Sequence, residues 1–179
     1  MRLVILTGMP GSGKSEVADA FHSVGFPVIV MGDVIRKEVE SRGMDVNPMN
    51  NKLVMLELRE RDGPGAVAMH CVESLRNSDS EVVVIEGCRS LAEIDVFDDY
   101  AEEVRIVCVH SSPKTRFSRL KRRGRKDDPK DWATFRERDL REVSVGLGAV
   151  IALSDIVVVN EGTIEELHNE SKTLVQRFT

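Results

Sequence analysis

Residues 2–15, RLVILTGMPGSGKS, restrict this chain more than any other stretch. An unbroken apolar run, Leu3-Val4-Ile5-Leu6, is followed at once by Gly8-Met9-Pro10-Gly11-Ser12-Gly13-Lys14-Ser15, which satisfies G-x-x-x-x-G-K-[ST] in full. Glycines there let successive backbone N–H groups turn inward around an anion, and a helix starting near Lys14 aims its positive end at the same point. Lys14 is placed to neutralise β- and γ-phosphates, and Ser15 to offer its hydroxyl to Mg²⁺. The stretch therefore predicts a strand, a phosphate-holding loop and a helix that bind the tail of a nucleotide such as ATP. The bland alternative is a glycine-rich turn that binds nothing.

Four more short apolar runs follow, at Pro27–Val30, Val82–Ile85, Val104–Val109 and Ile156–Val159. Continuous Val/Ile runs, rather than alternating ones, mark strands covered on both faces, as in a parallel sheet. Helical patterns lie between them. Lys14–Val24 places Val17, Phe21 and Val24 on one face and stops at Gly25, and GTIEEL opens the last helix with a Thr163/Glu166 capping box before Ile164, Leu167, Leu174 and Phe178. Alternation of this kind predicts a three-layer α/β/α P-loop fold with a five-stranded parallel sheet and ligands at the carboxyl ends of the strands. With 179 residues, the chain suits one domain carrying two excursions, about 32–81 with a break at NPMNN and about 111–154. Excursions from the carboxyl edge usually carry function, and extra packing helices are the plainer reading.

Composition narrows the partners. At 41% hydrophobic and 31% charged the chain is an ordinary globular one, and its net charge of −5 disfavours nucleic-acid binding by the whole surface. No apolar run reaches the ~18–20 residues needed to cross a bilayer. MRLVIL is too short for a signal peptide and leads straight into the loop motif. Three cysteines, Cys71, Cys88 and Cys108, lack metal-like spacing and predict reduced thiols in a cytoplasmic protein. The oligomeric state is not encoded in any visible pattern.

Charged residues fall where phosphoryl transfer needs them. Glu86, closing the third apolar run, is placed to hold Mg²⁺ through water, or simply faces solvent at a strand end. Arg36 opens the first excursion, Arg89 follows Glu86-Gly87-Cys88, and Arg116, Arg119, Arg123, Arg125, Arg136 and Arg138 populate the second. Guanidinium groups, permanently charged and bidentate, suit oxygens whose charge rearranges in a transition state. The run KTRFSRLKRRGRK could instead be a solvated helix face or an RNA surface, although only Phe117 and the lone Trp132 stand near it for stacking. Asp33 is either a group that takes a proton from an acceptor hydroxyl or touches Mg²⁺, or the N-cap of a helix over Val34–Ser41. Asn160 is a turn residue before Gly162 or, by the resemblance of the tail described below, a contact to the donor base.

The loop, GDVIR, EGCRS and GRKDD together resemble the nucleoside monophosphate kinases, adenylate kinase especially. That resemblance implies that Arg36 grips an acceptor phosphate and that Arg125 and Arg136, eleven positions apart, close as a lid pair over the donor phosphates. Arg119 joins the donor-nucleotide contacts. EGCRS is similar to the DGFPR element of that group, one residue shorter and with Glu for Asp, and implies Arg89 as a second acceptor-phosphate ligand. The tail SDIVVVNEGTIEELHNE is similar to the end of dephospho-CoA kinases, where an aspartate in the position of Asp33 acts on a ribose hydroxyl. End to end, GMPGSGKSE, GDVIRKE, RSLAE and RDLREVSVGLG look most like an uncharacterised archaeal family of P-loop proteins. These resemblances imply ATP as donor, Mg²⁺ as cofactor and a small-molecule acceptor, a nucleoside monophosphate first and a dephospho-CoA-type hydroxyl second. A nucleotide-dependent switch with slow hydrolysis is the alternative of another class.

Overall fold

The computed structural model describes residues 1–125 and 128–179; Lys126 and Asp127 of the GRKDD element lie outside the described residues. All five apolar runs are strands: β1 (Arg2–Thr7), β2 (Val28–Val30), β3 (Val82–Glu86), β4 (Glu103–His110) and β5 (Ile156–Val159). They pair in parallel in the order β2-β3-β1-β4-β5. This is the expected five-stranded parallel sheet of a P-loop kinase-like α/β fold. β1 lies at the centre with its registers locked on both sides, so the phosphate loop emerges from the best-buried strand.

Helices cover both faces. On one side α1 (Lys14–Ser23) and α9 (Ile164–Val175) bury Val17, Phe21, Leu167 and Leu174 against Val4, Leu6 and Val84. Phe21 stacks at a tilt on Phe178, 5.7 Å away. On the other side α2 (Met31–Ser41), α3 (Pro48–Asp62), α4 (Ala66–Leu75), α5 (Leu91–Tyr100) and α8 (Leu147–Ala152) enclose Leu3, Ile5, Val83 and Ile85. Burying this many branched side chains, at about 25 cal/mol per Å² of apolar area, is the main force holding the layers together.

Local signals place most ends correctly. Asn47 caps α3, so the break at NPMNN is a helix start, and Thr163 and Glu166 form the complete capping box of α9. Gly25, at φ 96°, follows α1 as the expected stop. Two positions depart from the expected faces: Val24 and Ile164 lie 57% and 55% exposed, just beyond the buried stripes they seemed to extend. The first excursion folds as α2, α3 and α4. The second folds as α6 (Pro113–Arg123), α7 (Trp132–Val145) and α8, so both are helical layers rather than open loops.

Candidate functional site

The loop between β1 and α1 is held from behind. Gly8 and Met9 offer their carbonyls to Lys14 Nζ at 2.7 and 3.3 Å, and Pro10 to Arg116 at 3.2 Å. The Ser12 carbonyl accepts from Asn160 Nδ2 at 2.8 Å and Ser111 Oγ at 3.3 Å. With four carbonyls drawn into side chains, the peptide planes turn their amides the other way. Among the described residues no acceptor is paired with the amides of Gly11, Gly13, Lys14 or Ser15. Four open donors at the start of a ten-residue helix make a cradle for a polyphosphate.

The glycines are required by the wall rather than by the anion. A Cβ on Gly8 would lie 2.2 Å from the Val109 carbonyl oxygen, and one on Gly13 would lie 2.4 Å from Asn160 Nδ2. Both residues also have positive φ, 142° and 103°, which disfavours any L side chain. Ser12 Oγ is buried without a partner among the described residues, another polar atom that the loop leaves to be satisfied.

Lys14 is partly buried and bends back over the loop. Burial pulls its ammonium down to about 8; the nearby Glu86 and Glu142 carboxylates oppose that shift and Arg89 adds to it. A polyphosphate would offer this ammonium stronger partners than two carbonyls. Beside it, Ser15 Oγ donates to Glu86 Oε1 at 3.0 Å. Glu86 ends β3, whose register sets it opposite Leu6 near the end of β1, so the loop that leaves β1 brings the Ser15 hydroxyl of α1 to the carboxylate. That donor set fits Mg²⁺, which binds one or two protein oxygens and completes its shell with phosphates and water. No cluster of three or more His, Cys, Asp or Glu suited to a metal occurs among the described residues.

The residues expected on the acceptor side, Asp33, Arg36 and Arg89, lie near the ends of β2 and β3. Asp33 is not an N-cap: α2 begins two residues earlier at Met31, directly after β2, and Val30 occupies the cap position with no side-chain bond. Asp33 sits instead in the first turn, where a carboxylate favours the helix dipole. It is half-exposed and ion-paired with Arg36, whose Nε donates to Asp33 Oδ1 at 2.8 Å. Arg89 lies at the mouth of β3 with its guanidinium 3.6 Å from Glu142 of α7. Its backbone N–H donates at 2.7 Å to Glu93, a buried carboxylate that also pairs with Arg59 at 3.1 Å.

The second excursion is fastened to the loop by its arginines. Arg116 and Asp139, 3% and 8% exposed, make two hydrogen bonds at 2.9 and 2.6 Å, with Phe135 beneath the guanidinium at 5.0 Å. Arg119 bonds the Asn160 side chain at 3.0 Å and its carbonyl at 3.1 Å, and the Ser111 hydroxyl at 2.9 Å. Burial lowers its pKa. The Asn160 amide is thus spent on Ser12 and Arg119, a clamp on the loop rather than a bare turn. Asp128 accepts from Arg123 at 2.9 and 2.5 Å and from the Arg125 backbone at 3.0 Å, and Arg138 stands 3.7 Å away. The Arg123 hydrogen bonds, with those charges, hold the Asp128 carboxyl below its usual range.

Of the eight arginines of this excursion, Arg116, Arg119, Arg123 and Arg138 are engaged within the protein, and Arg122, Arg125, Arg136 and Arg141 are exposed on it together with Lys114, Lys121 and Lys130. Among the described residues no hydrogen bond or ion pair joins Arg125 or Arg136 to the phosphate loop. The structure thus assembles the loop residues with Ser15, Glu86, Arg119 and Asn160 at one place, and sets Asp33 with Arg36 at another. Sequence reasoning missed Asp139, Glu142, Glu93, Ser111 and Asp128. Only the spacing of Arg116 and Asp139 on two facing helices could have suggested any of them.

Comparisons with known proteins bear on the family and the fold. Residues 4–143 match a family model described as an AAA domain, AAA_18. A UPF0200 protein of Hyperthermus butylicus is 48% identical over 180 aligned residues, covering 99% of this chain and 96% of its own. One of Methanocaldococcus jannaschii is 42% identical, covering 99% and 91%. Among solved structures, TT1252 from Thermus thermophilus has a TM-score of 0.67 at 20% identity, covering 99% and 97% of the two chains. A gluconokinase from Sinorhizobium meliloti has a TM-score of 0.56 at 18% identity, covering 98% and 91%. The chain therefore belongs to the UPF0200 family, whose members matched here are archaeal, and carries a P-loop domain of the AAA_18 type.

Proposed function

We propose that this chain is an ATP- and Mg²⁺-dependent phosphotransferase whose acceptor is a small molecule, a nucleoside monophosphate in the first reading. The observation that carries the proposal is the Ser15–Glu86 pair set beside a lysine-bearing cradle of open amides. The Gly8–Gly13 loop binds the donor's phosphates, and Lys14 neutralises charge on the β- and γ-groups. Ser15 and Glu86 would hold the metal, which draws charge from the β- and γ-oxygens when bound. Arg36 and Arg89 orient the acceptor's phosphate. One of its oxygens attacks the γ-phosphorus, the bond to the bridging oxygen breaks, and no proton need be removed. Arg125 and Arg136 lie on the exposed side of the second excursion, and their assigned part is to close over the phosphates and exclude water.

A second reading is favoured by Asp33. It stands half-exposed at the carboxyl end of β2 and is not consumed as a helix cap, so it could take the proton of an acceptor hydroxyl. Incubation with γ-labelled ATP, Mg²⁺, nucleoside monophosphates and dephospho-CoA tests both. Label on a monophosphate supports the first reading. Label on dephospho-CoA, lost by orders of magnitude in Asp33→Asn, supports the second. Loss of ATP without transfer to any acceptor refutes both and favours a nucleotide-dependent switch.

A further inference from the structure

Arg89 is the one acceptor-side arginine whose partner belongs to a different element. Its backbone is pinned to the buried Glu93, so the guanidinium is the part free to move. That group is half-exposed, and its Nη1 stands 3.6 Å from a Glu142 oxygen, beyond hydrogen-bonding distance. Glu142 is only 14% exposed and has no closer charge partner among the described residues. A few residues on, the turn between α7 and α8 rests on the same loop. A Cβ at Gly146 would lie 3.4 Å from the Arg89 carbonyl oxygen and 3.5 Å from Ser90. Glu142 therefore cannot retreat far without moving the end of α7. Arg36 differs, since its carboxylate partner lies one turn away on the same helix and travels with it.

We propose that Glu142 is a specificity-determining residue of the acceptor site: it holds the Arg89 guanidinium in the resting protein and is exchanged for the acceptor's phosphate. This rests on the monophosphate reading above. A phosphate dianion can form two short charge-assisted bonds to a guanidinium, which the long Glu142 contact does not. The exchange favours anionic acceptors strong enough to displace the carboxylate and gives a neutral hydroxyl compound no such gain. Because Glu142 is on α7, the exchange also shifts the helix that carries Arg136 and Arg138.

The test is the affinity of the full chain for adenosine and cytidine monophosphates, by calorimetry. Glu142→Gln keeps the shape and removes the charge, and it should tighten monophosphate binding about tenfold. In steady state the acceptor KM should fall while kcat holds, a split that a merely structural role would not give. Glu142→Asp, one methylene shorter, should show a smaller gain in the same direction. In an Arg89→Gln background the gain from Glu142→Gln should vanish. Equal gains in both backgrounds would mean plain repulsion and would overturn the competition, as would no gain in a variant that melts normally by Trp132 fluorescence. If wild type binds monophosphates and transfers label to them, the functional reading stands whatever the variant does. If no protein in the set binds them, that reading falls and the inference with it.

Discussion

Replacing Asp139 with asparagine should damage both stability and nucleotide binding, and the structure sets the size of the effect. Asp139 and Arg116 are nearly excluded from water, and the guanidinium makes two hydrogen bonds to the carboxylate. It also donates to the Ser111 and Pro10 carbonyls. Asparagine preserves the shape but leaves a buried positive charge without a countercharge. Removing one member of a buried pair costs about 3–5 kcal/mol. The two carbonyl acceptors survive, so the low end applies, about 3 kcal/mol. For a chain of 179 residues each kcal/mol moves Tm by about 2–4 °C, which gives a drop of about 6–12 °C. The assay is a thermal melt followed by circular dichroism and by Trp132, the only tryptophan, whose ring lies 5.1 Å from Phe135. The double change Arg116→Met with Asp139→Leu should recover most of the stability. Yet it should still bind ATP weakly, because the Pro10 carbonyl has lost its donor. A single Asp139→Asn variant melting within about 1 °C of wild type would refute the reasoning.

Three further outcomes follow from the same contacts. Burial holds the Lys14 ammonium down at about 8, so its charge opposes folding below that pH, and the penalty is relieved as pH rises toward 10.5. Polyphosphate favours the charged form, so ATP binding at pH 8.5 should take up about three quarters of a proton, measured by calorimetry in buffers of different ionisation enthalpy. Affinity should be flat below pH 8 and fall about tenfold per unit above it, and no uptake would contradict the assignment. Gly13→Ala should abolish ATP binding while leaving the far side of the sheet folded, since its Cβ meets the Asn160 amide at 2.4 Å; filter binding that matches wild type would count against the clamp. Asn160→Ala should weaken ATP at least several-fold, through lost contacts to Ser12 and Arg119, and titration would read it directly.

The sheet was legible because continuous Val and Ile runs have few other places to go, and all five became strands within two residues of their expected ends. The loop and Glu86 were legible for a related reason: they sit at the ends of β1 and β3, a parallel sheet delivers adjacent strand ends to one place, and the loop motif carries Ser15 there at the start of α1. Asp33 was harder. A helix over Val34–Ser41 looked capped by it, but β2 is only three residues long and the chain turns helical at Met31, without a cap residue to announce it. Asp139 and Glu142 were not legible at all. In RDLREVSVG they look like ordinary charges of a solvated helix, and only the packing of α7 against α6 and the β3 loop gives them partners. Arg116 suffered the reverse error, a basic-run residue that proves to be buried. Arg125 and Arg136 were expected as a lid pair by resemblance alone; both side chains are exposed, and Arg125 is tied to Asp128 only through its backbone among the described residues.

The central claim is that the open amides after β1, with Lys14, hold a nucleotide's phosphates. Titrating ATP with Mg²⁺ into wild type and into Lys14→Ala, both checked for equal thermal stability, tests it most directly. The account predicts saturable heat for wild type and a loss of at least about a hundredfold in affinity for the variant, the effect of removing one desolvated ammonium from a polyphosphate. Equal titration curves for the two proteins, or no heat with either, would contradict it.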